Sequence, residues 1–348
     1  MSRLTTLRCF FLSLILALSG FAPAAIAAIQ LPPTLPRPNA EAGPTKINYV
    51  VWAADITKID SVEQTFTINF MLILRWNDPS LKHNGPGNKK YPLSEIWNPN
   101  LLIANDAGGT TRSLPEFGEV TPDGDVVYRQ RILGTFTDLL DLRDFPFDQA
   151  TFGIHFTMPG YRPEDIRFEP DPAMVAAGMR DGSGLSNHLI IQDWQVLSSS
   201  AGSSDYQIAP GLSTAGLTFE FTAARNSQYF ILKVILPLLL IVMMSWSVFW
   251  IDPSDTGPQF SISVTSMLTL IAYRFAIEAN VPKLPYLTRL DAFILTSTLL
   301  IFLALIEVIT VSKFSKDGRI DTARAIDRRC RWIFPLVFVV CATVSLLH

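Results

Sequence analysis

Residues 257–279 read GPQFSISVTSMLTLIAYRFAIEA and are long enough to cross a lipid bilayer as one helix. Steps of three and four residues bring one set of side chains onto a single helix face. That set is Ser261, Thr265, Leu268, Ala272, Phe275 and Ala279. Its hydroxyl groups lie towards one end and its bulky apolar groups towards the other. Because hydroxyl groups require water, we expect several copies of this helix to surround an aqueous path, with Leu268 and Phe275 at a constriction that excludes water. The sequence therefore predicts one subunit of a pore.

The composition averages two unlike halves. The 348 residues are 49% hydrophobic, yet the apolar residues concentrate after residue 228. The formal net charge of −3 and the lack of a dense basic cluster give no sign of nucleic-acid binding. The four histidines have no metal-ligand spacing, and no nucleophile elbow, phosphate loop or paired-carboxylate motif is present. We therefore expect no enzyme, catalytic residue, metal or cofactor.

The first 28 residues have the pattern of a secretory signal peptide. Arg3 and Arg8 precede a short apolar run, and small residues follow at 24–28. An uncleaved signal anchor is the alternative, but the apolar run is short for a membrane span. The three cysteines, Cys9, Cys330 and Cys341, all lie outside residues 29–228. The exported domain that we expect over 29–228 therefore contains no disulfide, and it is long enough to fold without one.

Short β-like runs alternate with Gly, Pro and Asn turns across residues 29–228. The runs are Phe66–Leu74, Val126–Phe136, Thr151–Phe156, His188–Leu197 and Leu217–Ala223. This rhythm predicts a β-sandwich. We expect a short helical turn at Leu93–Trp97 and an irregular loop over Pro172–Ser186.

Four apolar spans follow within residues 229–348, at about 229–251, 257–279, 292–312 and 332–347. The connector at 313–331 carries many more Lys and Arg residues than the connector at 280–291. The excess of positive charge places 313–331 in the cytoplasm. We therefore expect the amino-terminal domain and the carboxyl terminus to lie outside.

The segment Asp141-Leu-Arg-Asp-Phe-Pro-Phe-Asp-Gln149 resembles the signature loop of the pentameric ligand-gated ion channels, the Cys-loop receptor family. Further matches are Trp97-Asn-Pro99, Arg225 ahead of Pro237, and Pro282-Lys-Leu-Pro-Tyr286. The flanking cysteines of eukaryotic members are replaced by Asp138 and Phe152, as in the prokaryotic branch. The resemblance implies an immunoglobulin-like extracellular β-sandwich, a four-helix transmembrane bundle and a homopentamer around a central pore in the bacterial inner membrane.

The resemblance also implies a gating junction between the two domains. Its residues would be Asp60, Phe145, Pro146, Phe147, Asp148, Arg225, Pro282, Pro285 and Tyr286. An aromatic–proline–aromatic tip suits a wedge between a sensing domain and membrane helices, and a buried charge pair beside it suits a rigid lever. The residues alone also allow a turn with two core aromatics and an ordinary surface ion pair.

In the same family, ligands bind between neighbouring extracellular domains. The matching positions here are Met71, Arg129, Arg131, Tyr161 and Tyr206. The aromatic box that suits amines is incomplete, because Pro159 and Met71 stand where aromatic residues are usual. The two arginines can recognise a carboxylate, although exposed strand arginines are commonly only solubilising.

The predicted function is a ligand-gated, or proton-gated, ion channel that conducts cations. Five copies of Glu278 would form an acidic ring at the outer mouth, unless Glu278 is only a solvated helix-end residue. Gly257-Pro258-Gln259 departs from the cation-selective pattern at the inner end, while Asp252 and Asp255 still make that end acidic. The alternatives are an anion-selective channel of the same family and a membrane-anchored oligomeric ligand sensor without conduction. The expected partners are further copies of the chain, membrane lipid, a small ligand or protons, and permeant ions.

Overall fold

The computed structural model describes residues 35–186, 189, 191, 193–278 and 284–347. The predicted signal peptide and Pro282 lie outside the described residues, and so do His188 and Ala279. The elements from Arg37 onwards belong to one structural unit.

The described residues of the amino-terminal half of that unit form two β-sheets. The first sheet has the strand order β10-β1-β2-β7-β6-β3, with β5 paired to β7 and β9 paired to β1; the second has the order β11-β12-β8-β4. The strands are β1 Thr45–Asp60, β2 Thr65–Asn77, β3 Lys89–Pro92, β4 Leu102–Ile103, β5 Thr111–Arg112, β6 Phe117–Val120, β7 Asp125–Thr137, β8 Gln149–Thr157, β9 Ile166–Pro170, β10 Ser183–Leu185, β11 Trp194–Ala209 and β12 Leu212–Arg225.

Aromatic side chains join the two sheets. Every second residue of β2 is buried, as expected for a strand with one face on a core. From that face Phe66 meets Phe152 and Phe221 of the second sheet at centroid distances of 5.4 and 5.5 Å, and Phe70 meets Phe156 at 5.8 Å. These edge-to-face contacts are the favoured geometry of aromatic pairs. The predicted β-sandwich is confirmed.

The segment 172–186 is more ordered than its composition suggests. It contains the short helix α1, Pro172–Ala176, and strand β10, which pairs parallel with β1. The Asp171 side chain accepts hydrogen bonds from the backbone N–H groups of Ala173 and Met174, and Pro172 occupies the first turn. The prediction of an irregular loop here is wrong because the Asp171-Pro172 cap starts a helix and the end of the segment pairs with β1.

Among its described residues, the carboxyl-terminal part contains four long helices, each apolar and long enough to cross a membrane. They are α2 Gln228–Trp250, α3 Thr256–Glu278, α4 Arg289–Lys316 and α5 Ile320–Leu347. Helix α2 contains one π-helical turn, Ile231–Ile235, just before Pro237. Thr288 and Asp291 cap the start of α4 by reciprocal hydrogen bonds, which fixes where the preceding linker enters the bundle.

Helix α5 begins at Ile320, well before the apolar run at Trp332 that the sequence pattern shows. Charged side chains in its amino-terminal part contact the end of α2 and the α2–α3 loop. Arg331 Nε donates to the Phe249 carbonyl at 2.7 Å, and Arg324 pairs with Asp252 at 3.1 Å. These contacts stabilise the helix over residues 320–331, a segment that is too polar to be recognised from the sequence as part of a membrane span.

Candidate pore and gating junction

The side chains predicted to face a pore form one exposed face of helix α3. Ser261, Thr265, Leu268, Ala272, Phe275 and Glu278 are all exposed in the single chain. The opposite face packs into the bundle and buries Gln259, Ser263, Ser266, Leu270 and Ile277. Leu268 is 62% exposed and Phe275 is 72% exposed, which is unusual for large apolar side chains outside a lipid or partner contact. The geometry of α3 therefore leaves uncovered the face that the spacing selects.

Sequence reasoning missed Arg274, which is exposed on α3 one turn before Glu278. The signal was available, because residues four apart on a helix are neighbours. Arg274, Glu278 and Asp291 of α4 line a common cavity of about 470 Å³ at this end of the bundle. A guanidinium group that lines the same cavity as Glu278 reduces the negative potential that Glu278 would create there.

At the other end of α3 the charged groups lie in the loop before the helix. The hydroxyl and the backbone N–H of Ser254 donate to Asp252 and, together with Arg324, lower the pKa of the Asp252 carboxyl. Asp255 is exposed. Gln259 points into the bundle, where its Nε2 donates to the Ile251 carbonyl at 3.1 Å. The polar contacts of Gln259 are therefore with its own subunit.

Arg225 and Asp148 form a buried, bidentate ion pair where the sandwich meets the helices. Arg225 Nε and Nη2 lie 2.7 and 3.0 Å from the two Asp148 carboxylate oxygens, and the side chains are 5% and 1% exposed. Arg225 Nη2 also donates to Ser61 Oγ at 2.8 Å. The guanidinium group lies 4.2 Å from the ring centroid of Trp194 and 4.9 Å from that of Phe145. The pair is thus enclosed by aromatic rings, where removal of one partner is costly.

The loop that carries the aromatic wedge contacts the membrane helices directly. The ring of Phe145 packs edge-on against Phe230 of α2 at 4.7 Å. The backbone N–H groups of Arg289 and Leu290, at the start of α4, donate to the carbonyls of Arg143 and Phe145 at 3.0 and 3.1 Å. Phe145 therefore bridges α2 and α4. Pro146 adjoins it by a cis peptide bond, and Phe147 is partly exposed.

The linker between α3 and α4 also makes hydrogen bonds to the loop that carries Phe145. The Leu142 N–H donates to the Tyr286 hydroxyl at 3.1 Å, and that hydroxyl donates to the Leu140 carbonyl at 3.3 Å. Arg289, which sequence reasoning counted only as a loop charge, pairs with Asp144 at 2.7 Å. Pro285 is exposed beside Tyr286.

The contacts of Asp60 are separate from those of Arg225. Its carboxylate pairs with Lys58 at 2.8 Å and accepts hydrogen bonds from the backbone of Val62 and Glu63. These interactions, first of all the one with Lys58, lower the pKa of Asp60. Asp60 therefore stabilises the β1–β2 turn. The next residue, Ser61, accepts a hydrogen bond from Arg225.

Four of the five residues predicted to bind a ligand lie on two different sheets of the single chain, and Tyr161 lies in the β8–β9 loop. Met71 pairs with Arg131 on β7 and with Trp52 on β1, so these three side chains share one face of the first sheet. Trp52 is partly exposed and was missed by sequence reasoning. Arg131 Nε donates to Asn69 at 3.1 Å, which leaves its guanidinium exposed.

Three other ligand candidates already have partners within the chain. Arg129 pairs with Glu119 at 2.7 Å. The Tyr161 hydroxyl accepts a hydrogen bond from Trp97 Nε1 at 2.8 Å. Tyr206 lies on β11 of the second sheet, with its ring centroid 6.3 Å from that of His155. One chain alone does not bring the two groups of residues together, as expected for a site that needs a neighbouring subunit.

Comparisons with known proteins match both parts of the chain. The model of the neurotransmitter-gated ion-channel ligand-binding domain matches residues 34–227, and the model of the neurotransmitter-gated ion-channel transmembrane region matches residues 234–322. The chain is 26% identical over 311 residues to a proton-gated ion channel of Gloeobacter violaceus, covering 88% of this chain and 83% of that protein. It is 28% identical over 280 residues to the gamma-aminobutyric acid receptor subunit beta-4 of Gallus gallus, covering 78% of this chain and 56% of the relative.

Proposed function

Because the chain belongs to the family of neurotransmitter-gated ion channels, we propose that five copies assemble around their α3 helices into a cation channel opened by a small ligand or by protons. Members of this family are pentameric ligand-gated channels and are not enzymes. The chain is a multi-pass membrane protein with its amino-terminal domain outside. We assign residues 1–28 to a signal peptide, 29–228 to the ligand-sensing domain and 229–348 to the membrane domain of a bacterial inner-membrane protein, with the carboxyl terminus outside.

The observation that carries this proposal is the exposed face of α3. Its hydroxyl groups at Ser261 and Thr265 are followed by Leu268 and Phe275, and none of these side chains is covered by its own subunit. Five such faces around an axis give a wetted inner end and an apolar tier that can exclude water. A bundle that only anchored a sensing domain would have no need for this order of side chains. The junction at Arg225 and Phe145 supplies a rigid connection from the sandwich to α2 and α4.

Arg274 favours a second candidate, an anion-selective channel of the same architecture. It lies close to Glu278, so five copies would place positive and negative charges in the same region of the outer mouth. The sign of the carried charge then depends on which group faces the ions. On a regular helix Glu278 lies about 60° around from Phe275 and Arg274 about 100°, so Glu278 is the nearer of the two to the pore-facing stripe, and we therefore favour cations.

Single-channel recording of the purified protein in lipid bilayers tests the function directly. We expect unitary currents that depend on an agonist or on external pH, with a reversal potential in a salt gradient that follows the cation. Silent bilayers that contain assembled protein would favour the non-conducting sensor. A reversal potential that follows chloride would favour the anion-selective alternative.

Replacement of Glu278 by glutamine is expected to reduce cation conductance, most strongly at low ionic strength. Five carboxylates at a narrow mouth raise the local cation concentration, and solvent-exposed charge is screened beyond about 8 Å at physiological salt. The measurement is the unitary conductance of Glu278→Gln and of the unchanged protein across a series of salt concentrations.

The matched control is Asp255→Asn, which removes an exposed carboxylate from the loop just before the opposite end of α3. If Asp255→Asn reduces the conductance and Glu278→Gln does not, the ring that attracts cations lies at the inner mouth. Equal conductance ratios at low and high salt would contradict an electrostatic role for Glu278.

A further inference from the structure

Two carboxyl groups are buried together among the membrane helices. Glu307 of α4 and Asp327 of α5 lie within hydrogen-bonding reach of each other. Asp327 is 1% exposed, and all four carboxylate oxygens are shielded from solvent. None of these four oxygens receives a hydrogen bond from the described part of the chain. Buried carboxylates ordinarily have donors or a cation beside them, so this arrangement needs an explanation.

The charged groups nearby do not neutralise the pair. The positive charge of Arg331 acts on the Asp327 carboxyl. However, Arg331 Nε donates to the Phe249 carbonyl and the guanidinium lies over the Trp250 ring. Asp252, in the α2–α3 loop, adds a further negative charge near Asp327. The Cys330 thiol lies beside Glu307 and is only a weak donor. Over the described ranges no cation lies within ion-pair distance of either carboxyl group.

The pore helix reaches the same cluster through Gln259. This side chain is 1% exposed and lies within hydrogen-bonding reach of Asp327. Its Nε2 already donates to the Ile251 carbonyl, which leaves its Oε1 as one more buried acceptor without a donor. The cluster therefore has five acceptor oxygens, two on each carboxyl and one on the amide, and the described neighbours offer them little more than the second N–H of Gln259 and the weakly donating Cys330 thiol. A proton on either carboxyl supplies an O–H donor to the other carboxyl or to Gln259.

We propose that Glu307 and Asp327 form a proton-binding site in which the pair holds one proton, and that this site is linked to the inner end of α3 through Gln259. Two neighbouring carboxylates out of water cannot both remain charged without a large cost, as in the paired acids that share one proton. The residues present do not favour a metal ion, since no group of three His, Cys, Asp or Glu side chains with metal-binding geometry occurs in the described residues.

The position of the site indicates that it exchanges its proton with the cytoplasm. Glu307 precedes the inner end of α4 at Lys316 by about 14 Å of helix, and Gln259 lies in the first turn of α3. Loss of the shared proton leaves two negative charges between α4 and α5, directly beside the pore helix. A rise in cytoplasmic pH then separates the two helices and displaces the inner end of α3. This link to the current rests on the proposed channel function, whereas the shared proton does not.

Infrared spectroscopy of the reconstituted protein tests the shared proton. A protonated carboxyl group has a carbonyl band that a carboxylate lacks. The variants Asp327→Asn and Glu307→Gln each keep the single negative charge of the protonated pair, so both are expected to fold. We expect each variant to lose that band relative to the unchanged protein at neutral pH, and the exposed α5 control Asp321→Asn to keep it. If neither variant changes the band, the proposal is wrong. A band that appears only when sodium is replaced by a large organic cation would show that the carboxyl groups bind a metal ion, and this result would also overturn the proposal.

Currents from inside-out patches test the link to the pore. In the unchanged protein and in Asp321→Asn, the open probability is expected to change when the cytoplasmic pH is raised at constant external pH and agonist. Asp327→Asn mimics the protonated acid, so its response to cytoplasmic pH is expected to be lost while its response to the external agonist remains. A full cytoplasmic pH response in both Asp327→Asn and Glu307→Gln would overturn the coupling. If the protein conducts no ions but the infrared band is lost as expected, the proton site stands and the proposed channel function fails.

Discussion

Replacement of Arg225 by alanine is expected to destabilise the protein and impair gating more than any surface substitution in the extracellular domain. Asp148 would remain 1% exposed without its cation, and removal of one partner from a buried pair costs about 3–5 kcal/mol. The contacts of the guanidinium with the Trp194 and Phe145 rings would be lost as well. The measurements are the thermal stability and assembly of the purified protein, and its agonist response in oocytes or bilayers.

Two further variants test whether the Arg225–Asp148 pair has a role at the junction or is only an ordinary ion pair. Arg112→Ala removes an arginine whose pair with Glu116 is about half exposed, so its cost is expected to be at most about 1 kcal/mol. Asp148→Asn in the Arg225→Ala background removes the uncompensated charge and should recover part of the stability. Equal effects of Arg225→Ala and Arg112→Ala would contradict the junction role, as would a double variant no more stable than Arg225→Ala.

The pore face of α3 is the feature that sequence reasoning predicts best. Helical spacing selects Ser261, Thr265, Leu268, Ala272 and Phe275, and Glu278 follows about one turn later; the structure leaves these residues exposed while it buries the opposite face. The sandwich is predicted for the same reason, because alternating burial along a strand has a fixed period of two. Both features depend only on local geometry, which the order of residues determines.

Contacts between distant segments were not predictable in this way. Glu307 lies inside an apolar span and Asp327 inside a basic connector, and no periodicity relates the two positions. The same holds for Arg289 and Asp144, which meet only because the α4 cap brings the linker against the loop. Asp60 was assigned to the Arg225 cluster by resemblance, yet its carboxylate binds local partners because the β1–β2 turn supplies nearer donors. Tertiary packing decides which charges meet, and a single sequence does not encode it in any short pattern.

Replacement of Leu268 by serine is expected to raise the resting conductance or the agonist sensitivity by at least about tenfold. In the proposed pentamer, five Leu268 side chains form an apolar ring that excludes water from the closed path. Each leucine side chain contributes about 1.5–3 kcal/mol when it is removed from water, and a net change of about 1.4 kcal/mol in the gating equilibrium is already tenfold. Because serine binds water, Leu268→Ser lowers the barrier to hydration and favours the open state.

Leu299→Ser provides the matched control for this gate. Leu299 lies on α4 and, like Leu268, leaves more than half of its surface uncovered in the single chain. The two substitutions remove the same apolar group and add the same hydroxyl, so a general loss of membrane stability would affect both. Only a side chain that faces the ion path changes the hydration of that path, and we therefore expect Leu299→Ser to leave the resting conductance and agonist response close to those of the unchanged protein. If Leu268→Ser assembles and behaves like Leu299→Ser, Leu268 does not face the path, and the constriction must then be sought at Phe275, the other large apolar side chain on the exposed stripe of α3.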